Sequence, residues 1–571
     1  MRQSTSKLAK QHHDGAEPSR HRLFHNVSSF AARFALCVLA ALVPLVVFLK
    51  VLPVPAEYQK YWITPQVFDF FAYYKAQIVM WCAAFVALIT LTTLISKSFK
   101  RSASGAPALL QRPDSFILLL SAYVAMTVVS TVRSADPAIA YWGYFERWEG
   151  LWLLLAYAAL LITANLWVRS AKQAWQILGA GSVAIVGVSV VGAMQFVDHN
   201  PFSTSIGRWL ILPSEYLPYA AQMKFNFPPR TVYSTLYNSN NVAAMMAMAF
   251  PIAAVCGLLL PDRRVKLAAG AVAVLAAFAL VSSGGRGGWM GACGAFLFLI
   301  ILSPAIRSKL MSWKLGVAVL LLAGAVGFAV INHVGHQALS ARMTAMVAGV
   351  SERLVPKAGS DNCPGIPRSA QAKESLADEL IRRYGGLGSH RAYIWIRSIE
   401  IAGDTFFVGR GPDTFALHFP NGDAFKACTI GSEVFVDKTH NLYLQMWLNQ
   451  GGIATLAFLG MIIVHTVRTR KALRLLERRS DLSILILALF GGWAGYLVAG
   501  LFYDSTVTVA PVFWIVFGLG VAANHAANGA ASRVGDGAAV DSSANGREVA
   551  VKEAASASSA ARKRKPPRRR R

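Results

Sequence analysis

Charge is what this sequence has least of. Of its 571 residues only 15% are Asp, Glu, Lys or Arg while 55% are hydrophobic, and the mean hydropathy is +0.43. Soluble chains carry roughly a quarter charged residues, so the scarcity excludes an ordinary soluble domain. Acids are scarcer than bases, 29 against 56, which leaves a formal net charge of +27. Cysteine is sparse too, with six in all. No Cys/His spacing resembles a zinc site, and no Asp-x-Asp or similar acidic pair is of the kind that holds Mg or Mn. Neither a metal nor a cofactor is expected. The positive charge gathers in the tails and between apolar runs, which is the pattern of membrane-surface anchoring rather than of nucleic-acid binding.

What is present is long apolar runs. Crossing a hydrocarbon core of about 30 Å takes roughly 20 residues. Twelve runs qualify, near 30–49, 77–96, 115–132, 150–168, 174–196, 240–260, 267–283, 288–304, 315–333, 441–467, 482–502 and 507–525. The first is too long for a signal-peptide core and lacks a small-residue cleavage site, so it is read as retained. The expected fold class is all-α, a polytopic membrane protein of about 12 transmembrane helices.

Orientation follows from Lys and Arg, which stay on the cytoplasmic side during insertion. With the N-terminus inside, the five short inner loops hold 18 Lys or Arg in 53 residues, and the five short outer loops hold 9 in 95. Both termini are therefore expected in the cytoplasm. The domain reading is a basic cytoplasmic segment at 1–29, helices one to nine at 30–333, an outer loop domain at 334–439, helices ten to twelve at 440–525, and a tail at 526–571. That tail is Ala/Ser/Gly-rich and ends in Arg568-Arg569-Arg570-Arg571. It is expected to be disordered and to face anionic lipids.

The outer loop is partly helical by its periodicity, near 371–384 and 389–402. In the second helix Arg391, Trp395 and Ile399 share one face, which either packs on neighbours or lines a site. Cys363 and Cys428 both lie in this loop, as a disulfide if the compartment is oxidising or as two free thiols.

Four clusters lie on the outer side, where polar groups next to membrane helices are costly and suggest function. Ser282-Ser283-Gly284-Gly285-Arg286-Gly287-Gly288-Trp289 puts a cation at a helix N-terminus that is already positive. An anion resolves the conflict, since glycine amides and a guanidinium together bind phosphate; a tight turn with a snorkelling Arg is the plainer alternative. Arg230 stands before the sixth span, placed to share the same anion. Asp437-Lys438-Thr439-His440-Asn441 opens the tenth. A helix N-terminus favours neutral imidazole, the form a general base needs, and Asp437 is a candidate to orient the ring. In Tyr141 to Gly150 the aromatics suit an interfacial belt, with Glu146, Arg147 and Glu149 as candidate acceptor contacts.

Ser283 to Trp289, the Arg391 to Trp395 helix followed by Gly409-Arg410-Gly411-Pro412-Asp413-Thr414-Phe415, and Lys438-Thr439-His440-Asn441 leading to Gly451-Gly452 occur in this order. Over Arg230 to Gly452 the chain resembles the O-antigen ligase/polymerase family. The resemblance implies a membrane glycosyltransferase with a GT-C-like helical fold. It implies transfer of a glycan from an undecaprenyl-diphosphate carrier to a lipid, cell-wall or protein acceptor at the outer face of the bacterial cytoplasmic membrane. It carries donor diphosphate binding to Arg286, Arg230 and Arg391, catalysis to His440, and base-orienting or acceptor contacts to Asp437, Asn441, Arg147 and Glu149. Ligase-like transfer and polymerisation of repeat units share this chemistry. A transporter is the reading from another class, opposed by spans nearly free of midplane charge.

Overall fold

A computed structural model describes residues 23–61, 64–103, 114–225, 227–304, 306–308, 363, 366, 375–476 and 480–530. The N-terminal segment to residue 22, the span expected at 315–333, much of 334–374 and the tail from 531 lie outside the described residues.

The chain is a helical membrane protein. Its helices are α1 (Leu23–Leu45), α2 (Tyr73–Ala103), α3 (Ser115–Val132), α4 (Pro137–Trp142), α5 (Leu151–Trp167), α6 (Ala171–Phe196), α7 (Ser205–Ile211), α8 (Ser239–Leu259), α9 (Arg263–Ser282) and α10 (Arg286–Leu302). After these come α11 (Leu376–Tyr384), α12 (Arg391–Glu400), α13 (Phe415–His418), α14 (Ala424–Thr429), α15 (Leu442–Gln450), α16 (Gly452–Leu475), α17 (Asp481–Ala499) and α18 (Ala510–Ala530). Among the described residues nine helices are long and apolar enough to cross a membrane, and α5 and α10 are shorter apolar helices of 17 residues each. The hydropathy runs therefore reappear as helices wherever the chain is described, with one exception.

The exception is the run at 441–467. Gly451, at φ +101°, divides it into α15 and α16. A left-handed glycine ends a helix at no steric cost, and α16 alone is long enough to span. Short α15 is thus a separate element at the mouth of the bundle. The loop after α1 also forms a small antiparallel pair, Lys50–Pro53 with Gln66–Asp69, in register Lys50 to Asp69.

Side-chain caps start many of the long helices: Asp114 before α3, Ser170 before α6, Asn238 before α8, Asp262 before α9 and Ser480 before α17. Each oxygen accepts from a first-turn N–H that no helical carbonyl reaches. Helix α8 packs on α9, α10 and α17, and α3 on α16. Small residues allow the closest approaches: a Cβ on Gly288 would lie 2.5 Å from the Ala243 carbonyl, and one on Gly291 2.5 Å from that of Gly495. Helices α17 and α18 form the centre, 89% buried, whereas α2 and α9 are 28% buried and face outward.

Helices α11 to α14, between α10 and α15, enclose their own core of Ile381, Tyr393, Ile394, Phe415, Phe419 and Phe425. Arg397 ties it together through Asp378 (2.7 Å), Glu400 (2.8 Å) and Asp423 (2.8 Å). Cys363 and Cys428 are joined by a disulfide. Of the expected shared face, Arg391 and Trp395 turn inward, while Ile399 is 64% exposed.

Candidate functional site

Four helix N-termini meet at one end of the bundle. Asn240 lies in the first turn of α8, Arg286 begins α10, Arg391 begins α12, and His440 precedes the cap of α15. With Gly284 and Ser389 these residues line a cavity of about 300 Å³. Every helix contributes the positive end of its dipole, and two contribute a guanidinium as well.

Local sequence explains each placement. Gly284, at φ +68°, turns the chain from α9 into α10. Before α12, Gly388, Ser389 and His390 all adopt positive φ, at 62°, 57° and 67°. Such a run of left-handed residues is costly outside glycine and is typical of sites where geometry outranks local stability. The run swings Ser389 and Arg391 into the cavity wall. Trp395, one turn on, donates to the Thr439 carbonyl at 2.9 Å, which fixes α12 against the His440 segment.

His440 itself has φ +54°. Thr439, fully buried, donates its N–H to Gln445 Oε1 (2.9 Å) and its hydroxyl to the Asn441 carbonyl (2.9 Å). Asn441 caps α15, accepting from Tyr443 and Leu444 N–H at 3.0 Å each, and its amide donates to the Leu501 carbonyl at 3.1 Å. The Leu442 N–H donates to the Gly500 carbonyl at 2.8 Å. These bonds hold the start of α15 against the turn after α17, and that turn carries Asp504.

Asp504 lies 3.3 Å from His440 Nδ1. It is 2% exposed. Burial pushes its carboxyl upward, but the hydrogen bond and charge of His440, with Lys438 and Arg147 behind, outweigh burial and hold it at about 2. A carboxylate on Nδ1 fixes the tautomer and leaves Nε2 to take a proton.

Electrostatics in the cavity are one-sided. Burial lowers the Arg391 guanidinium below its usual range, Asp504 opposes the shift, and the charge of Arg286 adds to it. Arg391 Nε is buried and has no hydrogen-bond partner among the described residues. Two cations that repel across a cavity framed by helix N-termini have the chemistry to bind a polyanion.

The other residues named from sequence lie elsewhere. Arg230, at φ +61°, is not among the residues lining the cavity. Asp437 faces Arg147 (4.0 Å) and Lys438 (3.8 Å); the carboxylate on the His440 ring is Asp504. Arg147 pairs with Asp413 at 2.7 Å, and Glu149 accepts from Tyr157 and Ser505. Glu146 is half-buried and is pushed up to about 7, by burial first and then by the charges of Asp69 and Asp437.

Asp504 and Ser389 were not legible as site residues, whereas Gly284 belongs to the glycine-flanked Arg286 cluster. For Asp504 there was one signal: it is the only acid between 482 and 535, in a stretch that is otherwise almost purely apolar.

Residues 271–459 match the model of the O-antigen ligase family. That stretch is similar to the O-antigen ligases. No curated protein matches the chain. The matched stretch contains Gly284, Arg286, Ser389, Arg391 and His440, so five of the six cavity-lining residues fall within it. Asn240, Asp504, Arg147 and Glu149 fall outside. The cavity is therefore lined by the matched stretch and by Asn240 of α8, while the turn before α18 supplies Asp504 to the His440 ring.

Proposed function

We propose that this membrane protein transfers a glycan from an undecaprenyl-diphosphate carrier to an acceptor hydroxyl at the outer face of the cytoplasmic membrane, inverting the anomeric centre without a metal ion. The observation that carries this reading is the convergence of Arg286 and Arg391 with four helix N-termini on the cavity that His440 also lines. A diphosphate leaving group needs its growing charge neutralised more than it needs a proton, and preorganised guanidinium groups do that. The acceptor hydroxyl needs a base, the role given to His440 with Asp504 on its far nitrogen.

In the step itself the acceptor oxygen attacks the anomeric carbon from the face opposite the diphosphate. The new C–O bond forms as the bond to the phosphate oxygen breaks. The hydroxyl proton passes to His440 Nε2, and undecaprenyl diphosphate leaves as an anion held by the arginines. Sidedness is supported by the charge bias of the short loops and by the Cys363–Cys428 disulfide, which suits an oxidising compartment.

The test is transfer by purified protein from a radiolabelled undecaprenyl-diphosphate glycan, with lipid, cell-wall and lipid-linked glycan acceptors in separate arms. His440→Ala should lose at least about a hundredfold in kcat. Arg391→Ala should lose about as much, and Arg391→Lys should recover only part, because the fork is lost while the charge remains. Full transfer by a combined Arg286→Ala, Arg391→Ala variant would sink the donor assignment.

A further inference from the structure

A second cavity, of about 40 Å³, lies between α5, α15, α17 and α18 and shares no lining residue with the first. Its polar wall is Arg147, Glu149, Asp413, Gln445, Asn449 and Gln450, all buried. Arg147 Nη1, Gln445 Nε2, Asn449 Oδ1 and Gln450 Oε1 have no hydrogen-bond partner among the described residues. Its volume suits roughly three water molecules, which need such donors and acceptors around them. Polar groups collected at this depth require a reason beyond packing.

Glu149 supplies one. Its Oε1 accepts from the Tyr157 hydroxyl at 2.8 Å and from the Ser505 hydroxyl at 2.7 Å. Ser505 directly follows Asp504, so one peptide link joins this carboxyl to the carboxylate on His440.

The charge count decides the state of Glu149. Three carboxyls face the single guanidinium of Arg147: Glu149, Asp413 and, at 4.0 Å, Asp437. Arg147 Nε is committed to Asp413 at 2.7 Å, and Asp413 also accepts the Tyr144 and Glu149 N–H groups at 2.7 and 3.2 Å. An ionised Glu149 would add a buried charge beside two acceptors that already lack donors. A proton on Oε2 removes the charge and supplies a donor, directly or through water. The other titratable groups facing Glu149 are the hydroxyls of Tyr123, Tyr157, Tyr496 and Tyr503.

We propose that Glu149, in its protonated form, is a positioning residue for the base: its carboxyl holds Ser505, and through Ser505 the Asp504 carboxylate against His440. The inference rests on His440 being the base. Burial, the largest influence on this carboxyl, pushes it up to about 7 against the pull of Arg147 and of the hydrogen bonds from Ser505 and Tyr157; ionisation strengthens those accepted bonds but adds a buried carboxylate that competes with Asp413 for Arg147, so the arrangement is disturbed as pH rises through neutrality.

The test compares Glu149→Ala, Glu149→Gln, Ser505→Ala and His440→Ala in the full-length protein. One readout is kcat and KM for transfer as a function of pH. The other is the pH dependence of His440 modification by diethyl pyrocarbonate, followed by peptide mass, which needs no turnover. Glu149→Ala and Ser505→Ala are expected to lower kcat about tenfold with donor KM little changed, as when a reacting group loses its orienting bond. Glu149→Gln keeps a neutral group of the same shape. It should recover most of kcat and abolish the fall above about pH 7. In Ser505→Ala the midpoint of His440 modification should drop by about half a pH unit or more, because the imidazolium loses its carboxylate. Equal damage in Glu149→Gln and Glu149→Ala would overturn the neutral form. Unchanged kcat and unchanged modification in Ser505→Ala would overturn the positioning role, even where Glu149→Ala fails to fold. Wild-type transfer by His440→Ala with a shifted midpoint in Ser505→Ala would leave the positioning intact and remove the base.

Discussion

His440 occupies a left-handed backbone conformation that a non-glycine residue adopts only when its surroundings insist. Thr439 and Asn441 do the insisting, and Asp504 then fixes the ring. Asp504→Asn keeps the size of the group but removes the charge that stabilises the imidazolium formed during proton transfer. The expected outcome is a loss of about a hundredfold in kcat with little change in donor KM. A steady-state series at saturating acceptor checks it, and an unchanged kcat would deny Asp504 any share in the chemistry. At this scale Arg286, Arg391 and His440 were legible because each is a polar group that a helix mouth cannot absorb at no cost. Asp504 was not, since its partner belongs to another helix mouth and nothing adjacent to it in sequence is basic. Asp437 drew the orienting role by adjacency alone, whereas the fold turns it toward Arg147 and Lys438.

Among the elements, α8, α10 and α17 approach more closely than side chains normally permit, and α8 and α10 carry Asn240 and Arg286 to the cavity. Gly291 is the measure of this. A Cβ there would lie 2.5 Å from the Gly495 carbonyl, 2.9 Å from the Ala499 Cβ and 3.1 Å from the Ala247 Cβ. Gly291→Val should therefore cost about 1–3 kcal/mol by overpacking and, by displacing α10, should move Arg286 and weaken donor binding. Gly270→Ala is the control: among the described residues nothing lies within 4 Å of the point where its Cβ would stand, so helix propensity alone should make it stabilising by up to about 1 kcal/mol. Thermal unfolding in one detergent separates the two, and equal effects would refute the packing argument. The glycines around Arg286 thus read in sequence as a phosphate cradle, yet Gly288 and Gly291 are used for helix contact. Apolar runs gave the helices because length and hydropathy are summed over many residues. The break at Gly451 and the Lys50–Pro53 pairing depend on one or two residues each, and a sum does not register them.

For the whole molecule, sidedness decides whether the cavity meets a lipid-linked donor on the outer surface, and it follows from charge. The basic turn between α8 and α9 and the last turns of α16, with Arg470, Lys471 and Arg474, lie at helix ends opposite the mouth where His440 and Arg286 converge. Moving Lys and Arg across a bilayer during insertion is unfavourable, so those turns should stay inside and the cavity should open outside. A label settles it. Ser432, exposed between α14 and α15, and Arg263, exposed at the start of α9, can each be replaced by cysteine in a background lacking exposed Cys293. A membrane-impermeant maleimide applied to intact spheroplasts should react with the Ser432→Cys protein at once and with the Arg263→Cys protein only after lysis. The opposite pattern would place the cavity in the cytoplasm. A reducing compartment does not sustain structural disulfides, so the Cys363–Cys428 bond would lose its reason along with the proposed donor.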